Sequence, residues 1–184
     1  MTEIYISTDI ESDGPIPGPY SMLNFGSAAI TADGRVVGTF SDNLKPLEGA
    51  EQHPDTMNFW SRHPDIWKQI TTDPKDPEDV MIAYEQWLSD ISGQYGRTVF
   101  VGYPAGFDFT FIRWYLIYFT GNCPFGFQAL DMKSYAMAKL GTNFKETVKK
   151  RFPGDWKNVG HKHTHLGIDD AIEQGLMFIK MLNS

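Results

Sequence analysis

The sequence predicts an α/β fold built on a sheet of mixed direction, and three observations carry that expectation. The first forty residues read as three strands, two of them joined by the hairpin-turn dipeptide Asp33-Gly34. Helical and strand patterns alternate from there to the C-terminus. The segment 107–120 is apolar all round, as a helix covered on every side must be.

The elements follow in order. Residues 3–9, rich in Ile, Tyr and Thr, form the first strand, and 24–32 and 35–40 the next two. Between the first two lies Gly14-Pro15-Ile16-Pro17-Gly18-Pro19, a loop stiffened by proline. His53-Pro54-Asp55 and His63-Pro64-Asp65 each open a short helix with proline in its first turn. A longer helix over 78–94 carries Val80, Ala83, Tyr84, Trp87, Leu88 and Ile91 at helical spacing. Residues 98–102 form a buried strand, and the apolar helix after it ends at Gly121-Asn122. A last strand over 127–131 leads into a helix over 132–140. The closing helix, 167–182, has a core stripe of Ile168, Ile172, Gly175, Ile179 and Leu182. No repeat or interior linker interrupts the 184 residues, so 1–184 is expected to be one domain.

A net charge of −7 argues against a protein that coats long nucleic acid, because such proteins carry excess positive charge. Any nucleic acid would be met over a short footprint. There is no leader-like start and no uncharged run of spanning length, so no membrane is expected. The single cysteine, Cys123, excludes an internal disulfide and makes no zinc site alone. A cytoplasmic protein is the simplest reading.

Asp9 and Glu11 stand two apart where the first strand runs out, and residues i and i+2 of a strand share a face. Two carboxylates so close are unfavourable unless one is protonated or a cation sits between them. For an isolated pair of this kind a solvated strand end is the better reading. Asp108 opens the apolar helix behind the buried strand; the helix dipole favours an acid there, yet an unpaired charge so near the core is costly. His161, His163 and His165 alternate, which invites a zinc reading, although Lys162 between them fits a solvated basic loop better. His165 on a loop, with Asp170 in the first turn of the last helix, would suit water activation beside a metal. On periodicity alone Asp169 is as good an inward acid as Asp170.

Together these residues resemble the DEDDh family of 3′→5′ exonucleases, the proofreading and ribonuclease T-like group. The resemblance covers essentially the whole chain. Asp9-x-Glu11 matches the first motif, Asp108 after Phe107 the second, and His165-x4-Asp170 the third, which selects Asp170 over Asp169. It implies a ribonuclease H-like mixed sheet with helices on both faces. It also implies that Asp9, Glu11, Asp108 and Asp170 hold two divalent cations, Mg²⁺ or Mn²⁺, with His165 as general base. The reaction would be 3′→5′ hydrolysis of single-stranded nucleic acid, releasing nucleoside 5′-monophosphates. The second motif departs from the family: Tyr103-Pro104 stand where His-Asn is common.

The stretch 144–163 is the most basic in the chain, with Lys145, Lys149, Lys150, Arg151, Lys157 and Lys162 interleaved with Phe144, Phe152 and Trp156. It is expected to guide the 3′ strand by phosphate contacts and stacking, or else to be a solvated amphipathic helix anchored by Phe144 and Phe152. Lys149, Lys150, Arg151, Phe107, Met22 and Leu23 are the substrate-binding candidates. Small size and acidic charge favour RNA over DNA as substrate. The alternatives are a single-stranded DNA exonuclease, a catalytically silent nucleic-acid-binding module of the same fold, and a zinc hydrolase built on the histidines. The aromatic 53–70 segment is a candidate homodimer contact.

Overall fold

The structure is a computed structural model, and it describes residues 2–161, 164 and 166–184. The expectations for Lys162, His163 and His165 fall outside the described residues.

Strands β1 (Glu3–Ser12), β2 (Met22–Ile30) and β3 (Val36–Asn43) form the antiparallel meander. Helices α1 (Pro54–Trp60), α2 (Pro64–Ile70) and α3 (Pro77–Tyr95) lead into β4 (Arg97–Gly102). Helix α4 (Ala105–Thr120), β5 (Leu130–Asp131), α5 (Met132–Leu140), the short α6 (Gly154–Lys157) and α7 (Gly167–Leu182) complete the order. The sheet runs β3-β2-β1-β4-β5, with β4 parallel to both β1 and β5. β1 is therefore the central strand. The mixed α/β sheet that the sequence predicts is present.

Strand alternation divides two cores between the faces of the sheet. Ile4, Ile6 and Ile10 of β1 join α3 and α4 in one core. Tyr5 joins α5, α6 and α7 in the other. Asp9 and Glu11 share the parity of Tyr5, so they stand on the α7 side. On the opposite face Thr8 and Ser27 exchange a 2.7 Å hydroxyl bond, and Ser27 meets the Tyr84 hydroxyl at 2.8 Å. This satisfied polar chain sits inside an otherwise apolar core.

The differences from expectation have local causes. β1 continues past Asp9 to Ser12 because β2 pairs with it as far as Ser12↔Met22, with a bulge after Glu11. β3 runs on to Asn43 because β2 pairs with it as far as Asn24↔Asn43. The last strand shrinks to two residues, since β4 offers it partners only at Val101 and Gly102. Among the described residues of the basic stretch there is no long amphipathic helix: Phe144–Glu146 and Lys149–Arg151 are single 3₁₀ turns, followed by α6. In 53–70, Trp60 and Ile70 are buried within the chain, while Phe59 stays exposed. Among the described residues, no helix is long and apolar enough to cross a membrane.

Candidate active site

Asp9, Glu11 and Asp170 each offer a carboxylate oxygen, and these oxygens lie within 4.8 Å of one another. β1 supplies the first two from one face. The third arrives because the first turn of α7 lies directly on the sheet. A Cβ on Gly26 would stand 2.2 Å from the Ile168 nitrogen, and one on Gly167 would stand 2.8 Å from the Gly26 nitrogen and 3.0 Å from the Asp9 carbonyl oxygen. Only two glycines permit so close a backbone approach. The Gly167 N–H donates to Asn24 Oδ1 at 3.3 Å, and Gln174 Nε2 donates to the Thr8 carbonyl at 2.7 Å, fixing the helix along β1.

The two adjacent acids of α7 have different neighbours. Asp170 is 2% exposed and joins the cluster. Asp169 turns outward, where it accepts from the Thr164 hydroxyl at 2.7 Å and faces His161 Nε2 at 3.6 Å. The Thr164 N–H in turn donates to Asp170 Oδ1 at 2.9 Å.

Asp108 comes from the opposite layer. Tyr103-Pro104 joins β4 to α4 through a cis peptide bond, and the first turn of α4 carries the carboxylate toward the end of β1. It is 3% exposed, and its Oδ2 is buried with no hydrogen-bond partner. Gly102 keeps space there: a Cβ at that position would stand 3.1 Å from the same oxygen.

The electrostatics show how much the four acids crowd one another. Burial raises Asp9 well above the usual carboxylate range, and Asp108, Glu11 and Asp170 add to the effect while the Lys149 ammonium opposes it. Burial pushes Glu11 up to about 8, with Asp170 and Asp108 contributing. Asp108 reaches about 7 through burial, against the pull of the Ile10 and Tyr103 backbone N–H groups. Without a counter-ion, the protein would hold protons here near neutral pH. The donor set is all oxygen, which suits a hard divalent cation.

The substrate-binding candidates separate. Met22 is fully buried and Leu23 is 2% exposed, so both pack inside the protein and present no face to a base. The paired β2 backbone turns them inward. Phe107 is partly exposed beside Asp108 and packs edge-on against Phe111 at 5.2 Å. Phe152 and Trp156 are buried in the α7-side core; they anchor the basic stretch and are not free for stacking, whereas Phe144 stays exposed. Arg151 pairs with Glu146, and Lys150 is exposed. Lys149 alone of the three approaches the acids, donating to Glu173 on α7 at 2.6 Å. Sequence reasoning missed Gly26, Asn24 and Glu173. A lone glycine inside a strand was the one available signal of close backbone approach.

A doubly layered mixed sheet with acids converging from β1, α4 and α7 defines a ribonuclease H-like nuclease fold. No protein-family model matches the chain. It is 36% identical over 132 residues to the 3′-5′ DNA exonuclease Cap18 of Escherichia coli, covering 72% of this chain and 67% of that protein. Its fold is similar to the nuclease domain of 3′hExo, a DEDDh family member bound to rAMP, with a TM-score of 0.69. The identity there is 12%, over 98% of this chain and 91% of the other. It is likewise similar to Schizosaccharomyces pombe Pop2p in its Mg²⁺- and Mn²⁺-bound form: TM-score 0.68, 12% identity, 96% and 82% coverage. The chain belongs to the DEDDh family of 3′→5′ exonucleases, which hydrolyse phosphodiester bonds in nucleic acid.

Proposed function

We propose that Asp9, Glu11, Asp108 and Asp170 hold two divalent cations, Mg²⁺ or Mn²⁺, and that the protein shortens single-stranded DNA from its 3′ end. The observation that carries this reading is the convergence of three carboxylate oxygens within 4.8 Å, beside a buried, unpartnered Asp108 oxygen. When bound, such cations would acidify the attacking water and neutralise charge on the attacking and leaving oxygens.

The chain's own residues supply the rest. Asp9 and Glu11, on paired β1, give a fixed wall against which a phosphodiester can be oriented. Asp170, held by the Thr164 N–H, adds a third carboxylate from α7. His165 is proposed to take the proton of the attacking water, on the strength of the His-x4-Asp spacing alone. The products are nucleoside 5′-monophosphates.

DNA is preferred over RNA because the related protein of E. coli is a DNA exonuclease. That relationship outweighs the composition argument for RNA. The test is to incubate end-labelled single-stranded DNA and RNA of one sequence with Mg²⁺ or Mn²⁺, using wild type beside Asp9→Ala and His165→Ala. Stepwise loss from the 3′ end, faster on DNA and abolished by chelation, is expected. Shortening from the 5′ end, or full activity in Asp9→Ala, overturns the assignment; faster RNA cleavage overturns the DNA preference.

A further inference from the structure

We infer that Lys149 is the phosphate-contacting cation of this site, held at its rim by Glu173 and Tyr103; the inference rests on the proposed role of the four acids. Three neighbours locate the ammonium. Glu173 Oε2 accepts from it at 2.6 Å, and Glu173 lies three residues beyond Asp170 on the same helix. The Tyr103 ring centroid is 5.6 Å away, and Tyr103 directly precedes the residue that caps α4, the helix carrying Asp108. Its charge is also felt at Asp9, where it opposes the crowding of the acids. Lys149 thus stands among the elements that carry the carboxylates.

The backbone of Lys149 is fixed on both sides. The Tyr103 hydroxyl donates to the Thr147 carbonyl at 2.8 Å, and Lys133 Nζ donates to the same carbonyl at 3.1 Å. Thr147 is fully buried, and buried Phe152 anchors the chain just beyond Arg151. Tyr103, which breaks the family's second motif, is therefore the tether that delivers the lysine.

The Glu173 pairing has a chemical consequence. A lysine free to reach Asp9 and Glu11 would neutralise them and displace the cations they are proposed to hold. Glu173 restrains it, and an ammonium with three donors keeps others available for phosphate oxygens. Among acids that repel a phosphodiester, one fixed positive charge favours approach of the phosphate specifically.

The test compares wild type, Asp9→Asn, Lys149→Gln and Lys149→Arg in Mg²⁺. Calorimetry measures binding of a nucleoside 5′-monophosphate and of the matching nucleoside, and kcat and KM are measured on single-stranded DNA. Lys149→Gln is expected to weaken the monophosphate by about tenfold or more, leave the nucleoside unchanged and raise KM, with Arg restoring part of the loss. Equal weakening of both ligands would make Lys149 a structural residue and overturn the inference, as would unchanged binding of both. Should Lys149→Gln fail to fold, Lys149→Arg beside Glu173→Gln gives the readout: unaltered monophosphate affinity in both overturns the inference. If wild type shows no Mg²⁺-dependent cleavage and Asp9→Asn binds the monophosphate normally, the assignment of the acids has failed instead.

Discussion

Gly167 lies against Gly26: a Cβ on the first would sit 2.8 Å from the backbone nitrogen of the second. That contact lets the first turn of α7 rest on β2, next to the strand that carries Asp9 and Glu11, and so brings Asp170 among them. A glycine pair with no side chain to lend the chemistry sets the geometry of the acids.

Adding a methyl group there should be costly twice over. Gly26→Ala would force Ile168 away from the sheet, where both neighbours are backbone and cannot yield cheaply. A stability loss of about 1–3 kcal/mol is expected, by thermal or urea unfolding. Activity should fall at least tenfold even at temperatures where the variant remains folded, because Asp170 moves with its helix. A variant of normal activity would mean the contact does not position the site.

Neutralising one of the crowded acids should stabilise the metal-free protein while disabling the enzyme. Glu11→Gln and Asp9→Asn each remove a charge that burial and its neighbours disfavour. Each should raise the metal-free Tm by a few degrees and cut exonuclease activity by about a hundredfold or more. Calorimetric melting in chelator and a single-strand digestion assay test the two halves separately.

The same groups give stability a direction with pH. Glu11 has an ordinary value of 4.5 and about 8 in the folded protein, and Asp108 has 3.8 and about 7. Between these limits the folded state binds more protons than the unfolded, so metal-free stability should fall as pH rises from about 4 to 8. Saturating Mg²⁺ should remove most of the decline by favouring the charged forms. A metal-free Tm that rises over this range would contradict the crowding.

The basic stretch makes a further prediction about its aromatic residues. Phe152→Ala should cost about 3–5 kcal/mol, since the ring is buried against Tyr103 and Trp156. Phe144→Ala, at an exposed position over which Lys133 Nζ sits 4.9 Å from the ring centroid, should cost under about 1 kcal/mol. Chemical denaturation of the two variants decides it.

These cases mark how far the sequence could be read. The α/β order, the bounds of α5 and α7, and the same-face placement of Asp9 and Glu11 follow from strand and helix periodicity, which is local. The choice of Asp170 over Asp169 does not: the two are adjacent, and only the family motif or the Gly26 contact separates them. Phe144, Phe152 and Trp156 look alike in a basic stretch, because burial there depends on α7 and Tyr103, distant in sequence. Glu173 carried no signal at all, since its partner lies 24 residues away on an irregular turn.

The place of β1 has one more consequence. Its first half, Glu3 to Ser7, is paired along both edges, to β2 and to β4, and covered on both faces. Amides of such a strand exchange with solvent only when the whole domain opens. Asp9 and Glu11 lie just beyond that doubly paired half, held to β2 opposite Gly26 and Asn24. The Lys149 side of the site has no such ladder behind it and depends instead on the Tyr103 and Lys133 bonds to the Thr147 carbonyl.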